Sequence, residues 1–227
     1  MGDRCLLFFV KNPEKGPVKS RLASAIGETV TRDIYRNFVL DMLSKLEKEA
    51  LPFLICFYPE DALSDLKVIL GENHCYLSQK GDDLGQKMEH CFYKAFAKGF
   101  HRVILIGSDA PDLPSELIGD AFSLLNGSEC VIGPSIDGGY YLVGFRSDSF
   151  LPEAFRSIQW STDKVLVETT DILRKYHTST HLLSLWRDVD TLEDLKHFFE
   201  KNKHTTTCPR TMSYLRTTGL FPLNHSA

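Results

Sequence analysis

Residues 102–113 read RVILIGSDAPDL, an apolar run that ends in a glycine, a serine and a carboxylate. The uninterrupted apolar stretch before Gly107 is typical of a strand that is buried on both faces of a parallel or mixed sheet. Asp109 cannot belong to the same buried layer, because an unpaired charge is costly to bury. Ligands of such sheets gather at the carboxyl ends of the strands, so Asp109 stands where a binding site is expected.

Similar apolar runs predict the rest of the sheet. They lie at residues 4–10, 52–58, 74–78, 102–107, 129–133 and 140–145, with a weaker one near 180–185. Between them, apolar residues recur at helical spacing over 30–46, 84–96 and 118–125, and a last helix begins where Thr191 and Asp194 fit a capping box. This alternation predicts an α/β protein, a three-layer α/β/α domain with a central mixed, mostly parallel sheet.

Composition limits the classes of partner. The formal net charge of −4 and the pI of about 6.1 give no general attraction to nucleic acid. No stretch reaches the ~20 apolar residues of a membrane span, and the N-terminal run lacks a signal-peptide cleavage site. Six scattered cysteines without a Cys-x-x-Cys pair predict free thiols in a reducing cytoplasm. We expect one domain over residues 1–204 and a polar C-terminal extension over 205–227.

A basic loop follows the first strand. Residues 8–22, FFVKNPEKGPVKSRL, contain two prolines, Gly16 and four cations. Lys19 and Arg21 fall near the start of a helix, where the helix dipole disfavours cations, so an anion is expected to compensate. A phosphate group fits, because ammonium donors and exposed N–H groups converge on it. A solvated basic loop is the alternative, and the spacing of a P-loop is absent.

Two acidic motifs could hold a divalent cation. Asp109 ends the central strand, and Asp190 lies in LWRDVDTLEDL, residues 185–195. Asp188 and Asp190 alternate along the chain, so in an extended segment both carboxylates point to one side. Mg²⁺ usually takes one or two protein carboxylates together with substrate phosphates. A turn or capping role is the alternative for Asp109, and capping accounts for Asp112, which lies just before a helix whose first turn holds a proline.

A turn signal in GPSIDGGYYLVG, residues 133–144, separates two strand-like runs. The consecutive glycines would let a substrate approach the backbone closely, and the adjacent tyrosines offer a stacking face and a hydroxyl group. The residues that could bind an acceptor here are Asp137, Gly138, Gly139 and Tyr140. Asp137 is also the candidate catalytic base. A plain hairpin is the alternative.

Six motifs occur in order over about residues 4–200: FVKNPEKGPVKSRL, QKGDDLGQKM, IGSDAPDL, GPSIDGGYYLVG, IQWSTDKVL and DVDTLEDL. In these motifs the chain resembles a GT-A-like glycosyltransferase family, the radical-SAM/selenodomain-associated transferase 1 type, of the nucleotide-diphospho-sugar transferase superfamily. More distantly it is similar to nucleotidyltransferases such as phospholactate guanylyltransferase. The resemblance implies the GT-A fold, with a nucleotide across the N-terminal half and an acceptor across the second half.

The resemblance also implies roles for single residues. Asp109 corresponds to the metal-binding aspartate of the superfamily, and Asp190 to the second metal aspartate, with Leu192 in place of a usual proline. Asp109 is therefore expected to serve both catalysis and the metal. The residues assigned to the nucleotide and its phosphates are Lys11, Gly16, Lys19, Arg21, Gln79 and Ser108.

These features together predict a metal-dependent transferase with Mg²⁺ or Mn²⁺ as cofactor, a nucleotide or nucleotide-sugar donor and a small-molecule acceptor. Glycosyl transfer and nucleotidyl transfer to a phosphorylated acceptor use the same electrostatics, because both neutralise a phosphate leaving group. Lys11 and Lys19 favour a triphosphate slightly. A non-catalytic nucleotide- or sugar-binding protein is a further alternative, although simple binding does not require a pair of carboxylates that is costly to desolvate.

Overall fold

The computed structural model describes residues 3–49 and 51–221. In these residues the chain forms seven strands: β1 (Arg4–Lys11), β2 (Phe53–Tyr58), β3 (Tyr76–Ser78), β4 (Arg102–Ile106), β5 (Cys130–Pro134), β6 (Tyr140–Arg146) and β7 (Thr180–Leu182). The same residues form eight α-helices: α1 (Ser20–Ile26), α2 (Glu28–Lys48), α3 (Leu63–Leu70), α4 (Leu84–Ala97), α5 (Ser115–Leu124), α6 (Val165–Lys175), α7 (Leu192–Asn202) and α8 (Pro209–Thr218).

The strands form one sheet in the order β3-β2-β1-β4-β6-β5-β7. All neighbouring strands run parallel except β6, which is antiparallel to both β4 and β5. The prediction of a mixed, mostly parallel sheet is therefore confirmed. Because β1 and β4 are parallel neighbours and β6 runs against them, the ends of β1 and β4 and the start of β6 meet at one edge of the sheet.

Strand β1 is covered on both faces, as its apolar sequence predicts. Leu6, Phe8 and Val10 belong to a core shared with α2, α3 and α5, whereas Leu7 and Phe9 belong to a core shared with α4. Each such side chain contributes about 1.5–3 kcal/mol when it is fully buried. This burial on both faces makes the strand a rigid support for the loop that follows it.

Two helices were not predicted from the sequence. Helix α3 is short, and helix α6 buries Val165, Thr169 and Leu173 along one face. A threonine in the middle of this face weakens the apolar pattern, and β-branched residues lower the helix propensity of the segment. Their packing against the rest of the protein stabilises both helices in spite of this weak local pattern.

The C-terminal part packs on the other helices. Met212 and Leu215 of α8 share a buried cluster with Phe38 of α2 and Phe198 of α7. The carboxylate of Asp41 in α2 accepts hydrogen bonds from the first backbone N–H groups of α8, those of residues 210 and 211, at 3.1 and 2.9 Å. The division of the chain at residue 204 stays a prediction, and residues 222–227 of the predicted extension lie outside the described residues.

None of the helices in the described part of the chain is both long and apolar enough to cross a lipid bilayer.

Candidate functional site

A cavity of about 730 Å³ opens at the sheet edge where β1 and β4 end and β6 begins. Most of the site residues predicted from the sequence line it, namely Lys11, Lys19, Arg21, Gln79, Ser108, Asp109, Asp137, Gly139, Tyr140 and Asp190. Gly16 and Gly138, which were also predicted, are not among the residues that line the cavity. The fold thus brings together segments that are far apart in the sequence.

Lys19 lies between two carboxylates. Its Nζ is 2.5 Å from Oδ1 of Asp109 and 2.8 Å from Oδ1 of Asp190, and only 2% of its side chain is exposed. Burial disfavours the charged ammonium, yet the two carboxylates outweigh burial and raise the pKa of Lys19. The two predicted metal ligands therefore meet around one positive charge, which the chain itself supplies.

The backbone of Lys19 is strained. It has φ 51° and ψ 54°, in the left-handed region that non-glycine residues seldom adopt, and it occupies the N-cap position of α1 without a capping hydrogen bond from its side chain. Such a conformation costs on the order of 1–3 kcal/mol and persists only where the surroundings impose it. Here the ion pairs with Asp109 and Asp190 hold the residue in place, so the strain is located at the cavity.

The two acids are also connected through the backbone. The N–H of Val189 donates to the carbonyl oxygen of Asp109 at 2.9 Å, and Val189 is buried between Asp188 and Asp190. The predicted capping box of α7 is present immediately after these acids. The segment that carries Asp190 is thus anchored at both ends.

Asp188 is a further acid that lines the cavity. Its Oδ1 is buried and has no hydrogen-bond partner among residues 3–49 and 51–221. Burial, with the carboxylates of Asp109, Asp137 and Asp190, raises the pKa of Asp188 to about 7, whereas Lys19 acts in the opposite direction. The alternation of Asp188 and Asp190 predicts that both face one side, but no sequence pattern assigns Asp188 a role of its own.

Asp112 is not a helix cap, contrary to the prediction. Helix α5 starts after Pro114 without a side-chain cap. Instead, the buried carboxylate of Asp112 accepts hydrogen bonds from Nε1 of Trp186 and Nδ2 of Asn202, both at 3.2 Å, and pairs with Nζ of Lys201 at 2.8 Å. It fastens the loop that carries Asp109 to the segment that carries Asp190.

Ser108 is held by a tyrosine that no sequence motif singles out. The hydroxyl groups of Ser108 and Tyr35 lie 2.8 Å apart, and the backbone N–H of Lys11 donates to the Tyr35 hydroxyl at 3.0 Å. Burial raises the pKa of Tyr35 to about 12. Tyr35 thus connects the ends of β1 and β4, and its place beside the apolar stripe of α2 makes it look like an ordinary core residue in the sequence.

The hairpin between β5 and β6 packs on the loop that precedes α6. Gly138 has φ 88°, and a Cβ there would lie 2.2 Å from the carbonyl oxygen of Asp163. The N–H of Leu166 donates to the carbonyl oxygen of Gly138 at 2.9 Å, and the rings of Tyr140 and Trp160 meet edge to face at 6.4 Å. Hairpin and loop therefore form one continuous wall of the cavity.

The comparisons with known proteins place the chain in a family. Residues 42–162 match the family model described as an uncharacterized protein conserved in bacteria, DUF2064. The chain belongs to the DUF2064 family. A crystal structure from Desulfovibrio desulfuricans G20, provisionally described as a nucleotide-diphospho-sugar transferase, is 41% identical to it, with a TM-score of 0.91 and 96% of each chain covered.

More distant structures share the fold of this DUF2064 protein. The CMP:2-keto-3-deoxy-manno-octonic acid synthetase in complex with CTP has a TM-score of 0.52 at 9% identity, covering 87% of this chain and 97% of its own. A protein from Bacillus anthracis, provisionally described as a glucose-1-phosphate thymidylyltransferase, has a TM-score of 0.56 at 11% identity, covering 89% and 96%. No curated protein matches the sequence. The CMP:2-keto-3-deoxy-manno-octonic acid synthetase and the Bacillus anthracis protein thus have the same fold as this chain.

The cavity of this DUF2064 protein offers oxygen donors to a metal ion. The described residues contain no group of three or more His, Cys, Asp or Glu side chains that could hold a metal ion. Asp109 and Asp190 nevertheless both pair with the ammonium group of Lys19. Asp188 adds a buried carboxylate oxygen that lacks a hydrogen-bond partner in the described ranges. Two carboxylates completed by substrate phosphates suit Mg²⁺ or Mn²⁺.

Proposed function

We propose that this DUF2064 protein is a metal-dependent transferase that acts on a nucleotide-activated donor. The observation that carries the proposal is the meeting of Asp109, Asp190 and Lys19 in a cavity at the edge where β1 and β4 end. Opposite charges gathered in a partly enclosed cavity provide fixed electrostatic stabilisation for a reaction that develops negative charge. Transfer from a nucleoside diphosphate or triphosphate is such a reaction.

Lys11 and Arg21 would bind the phosphates of the donor. Both line the cavity, both are exposed, and neither forms an ion pair with another residue in the described ranges. Lys19 differs, because its charge is already matched by Asp109 and Asp190. We therefore assign direct phosphate binding to Lys11 and Arg21, and to Lys19 the positioning of the two acids beside the phosphates.

Asp109 and Asp190 would hold Mg²⁺ or Mn²⁺ together with phosphate oxygens of the donor. A bound metal ion of this kind neutralises the charge that develops on a diphosphate leaving group. Ser108 is fixed by its hydrogen bond with Tyr35. It would thereby hold its own hydroxyl group, and the backbone that leads to Asp109, in position. Asp137 stays the candidate general base, since one of its oxygens already accepts a hydrogen bond from the N–H of Gly139 at 3.0 Å and is held in place by it.

Nucleotidyl transfer is the second candidate for the reaction. Two cations that no acid in the described ranges neutralises, Lys11 and Arg21, line the cavity beside Lys19, and this is a generous supply of positive charge for a diphosphate. In that reaction a phosphate of the acceptor attacks the α-phosphorus of a nucleoside triphosphate and pyrophosphate leaves. We further propose that the protein acts in a reducing cytoplasm, which its six free cysteines support.

Thermal unfolding with a panel of nucleoside diphosphates, nucleoside triphosphates and sugar nucleotides, with and without Mn²⁺, tests the proposed function. A ligand at 100 times its Kd stabilises a protein by about 2.7 kcal/mol. We expect at least one member to stabilise the protein more strongly with Mn²⁺ present. In Asp109→Asn this metal-dependent part of the stabilisation should disappear, whereas the control Asp120→Asn, at an exposed position of α5, should behave like the wild type. Equal stabilisation of all three proteins would contradict the assignment.

A further inference from the structure

The charges of the cavity are distributed unevenly. Among the described residues that line the cavity, those of the Lys, Arg or His type are Lys11, Lys19 and Arg21. The positive charges of this lining therefore come from one short segment. Lys19 is neutralised by two acids, so Lys11 and Arg21 supply the free positive charge. Any phosphate that binds in the cavity is therefore attracted to the end of β1 and the start of α1.

The wall formed by the β5–β6 hairpin and the loop before α6 is acidic. We call residues 137–140 and 160–165 the acceptor wall. Among its members that line the cavity, Asp137 and Asp163 supply carboxylates, and Ser161 and Thr162 supply hydroxyl groups. Tyr140 and Trp160 add aromatic rings. Asp188 also lines the cavity, and its buried Oδ1 has no hydrogen-bond partner among the residues that the structure describes.

Two cations that directly neighbour Asp188 and Asp163 in the sequence do not neutralise these acids. Arg187 is bound to Asp194 at 2.8 Å, on the side of α7, and it does not line the cavity. Lys164 is exposed and is likewise not a lining residue, although its neighbour Asp163 is one. Among the described residues, the acceptor wall thus presents Asp137 and Asp163 to the cavity without a lining Lys, Arg or His of its own, and the free cations Lys11 and Arg21 come from the segment that follows β1.

Such a wall repels a phosphorylated acceptor. Like charges placed side by side reduce affinity and act as a selective element against the wrong partner. Hydroxyl groups, carboxylates and an aromatic face together suit a molecule with several hydroxyl groups or an amine, which can donate hydrogen bonds to the carboxylates and stack on the ring. The wall therefore distinguishes between the two reactions that the proposed function leaves open.

We infer that the acceptor is an unphosphorylated, neutral or cationic molecule that attacks through a hydroxyl or amine group, and that the reaction is glycosyl transfer. In this reaction the acceptor oxygen or nitrogen forms a bond to the anomeric carbon of the donor sugar. The bond between that carbon and the diphosphate oxygen breaks with its electron pair, so a nucleoside diphosphate leaves. The proton of the acceptor group passes to a carboxylate of the wall or to water. The inference rests on the proposed function.

Saturation-transfer NMR on the protein loaded with Mg²⁺ and the nucleoside diphosphate that stabilises it most tests the inference. The probes are pairs that differ by one phosphate: glucose and glucose 1-phosphate, glycerol and glycerol 3-phosphate, ethanolamine and phosphoethanolamine. We expect the unphosphorylated member of at least one pair to give the stronger signal. Equal signals within every pair, or stronger signals from the phosphorylated members, would overturn the inference.

A charge-reversed variant gives a second readout. In Asp163→Lys the phosphorylated probes should gain signal relative to their partners, and in the control Asp120→Lys on α5 the ratio should stay that of the wild type. Release of pyrophosphate from a nucleoside triphosphate with a phosphorylated probe would overturn the inference, although the protein would still be a transferase. Failure of the proposed function is distinguishable, because then no nucleotide would show Mn²⁺-dependent stabilisation in the first place.

Discussion

The backbone N–H of Val189 donates a hydrogen bond to the carbonyl oxygen of Asp109, at 2.9 Å. This bond joins the loop after β4 to the segment before α7, and it places Asp188 and Asp190 on either side of the contact. The relative position of the acids is thus fixed by the main chain and does not depend on flexible side chains alone. A site with this support holds its geometry before any ligand arrives, which electrostatic catalysis requires.

Removal of Lys19 should strengthen metal binding in the absence of nucleotide. Its ammonium occupies the space between Asp109 and Asp190, so a metal ion must compete with it. We expect Lys19→Met to bind Mn²⁺ about tenfold more tightly than the wild type, a difference of about 1.4 kcal/mol. Electron paramagnetic resonance of free Mn²⁺ measures this affinity, and Lys19→Arg, which retains the charge, serves as control. Unchanged or weaker binding by Lys19→Met would show that the lysine does not compete.

Loss of the Asp112 carboxylate should destabilise the protein. In Asp112→Ala the side chains of Trp186 and Asn202 lose their acceptor, and Lys201 loses its ion pair. We expect the free energy of unfolding to fall by about 2–3 kcal/mol in a denaturant titration. The exposed control Asp120→Ala should stay within about 0.5 kcal/mol of the wild type. A similarly small change in Asp112→Ala would contradict the role assigned to this carboxylate.

Asp41 of α2 should stabilise helix α8 by accepting hydrogen bonds from its first turn. Its carboxylate accepts from two backbone N–H groups at the start of α8, where Cys208, the residue in the capping position, provides no side-chain hydrogen bond of that kind. Asp41→Ala should lower the free energy of unfolding by about 1–2 kcal/mol, as measured by denaturant titration. Asp41→Asn keeps an acceptor oxygen and should lose less. If both variants unfold like the wild type, this contact does not stabilise α8.

A substitution of Gly138 should weaken binding of the acceptor and leave binding of the nucleotide donor unchanged. In Gly138→Ala the new Cβ would lie 2.2 Å from the carbonyl oxygen of Asp163, and the φ of 88° strains any other residue. Hairpin and loop must separate, so we expect the KM of the acceptor to rise while the stabilisation by nucleotide with Mn²⁺ is retained. Gly127→Ala, where the structure shows open space, is the matched control. An unchanged acceptor KM would contradict the role of this contact.

Local patterns in the sequence were enough to predict most of the fold. The apolar runs predicted the strands because a strand that is buried on both faces is apolar throughout, so its own sequence identifies it. The capping box of Thr191 and Asp194 could be predicted because it lies within four residues. The basic loop and Asp109 could be singled out because their charges are not needed for packing. The resemblance to a family then placed these residues in a common site.

The contacts between distant residues could not be predicted in this way. Lys19 pairs with Asp190 across 171 positions, and no local pattern shows that its ammonium is buried between acids. Asp112 has the sequence context of a cap, but tertiary packing brings Trp186 and Asn202 to it and this interaction dominates. The acidity of the acceptor wall likewise arises only when the hairpin and the loop before α6 meet.

The most direct test of the central claim is a calorimetric titration of Mn²⁺ into the protein saturated with its best nucleoside diphosphate. The wild type and the control Asp120→Asn should bind the ion with equal affinity, and Asp190→Asn should bind it about 10–100-fold more weakly. Equal affinity in all three proteins would show that Asp109 and Asp190 do not meet around a metal ion and would contradict the proposed site.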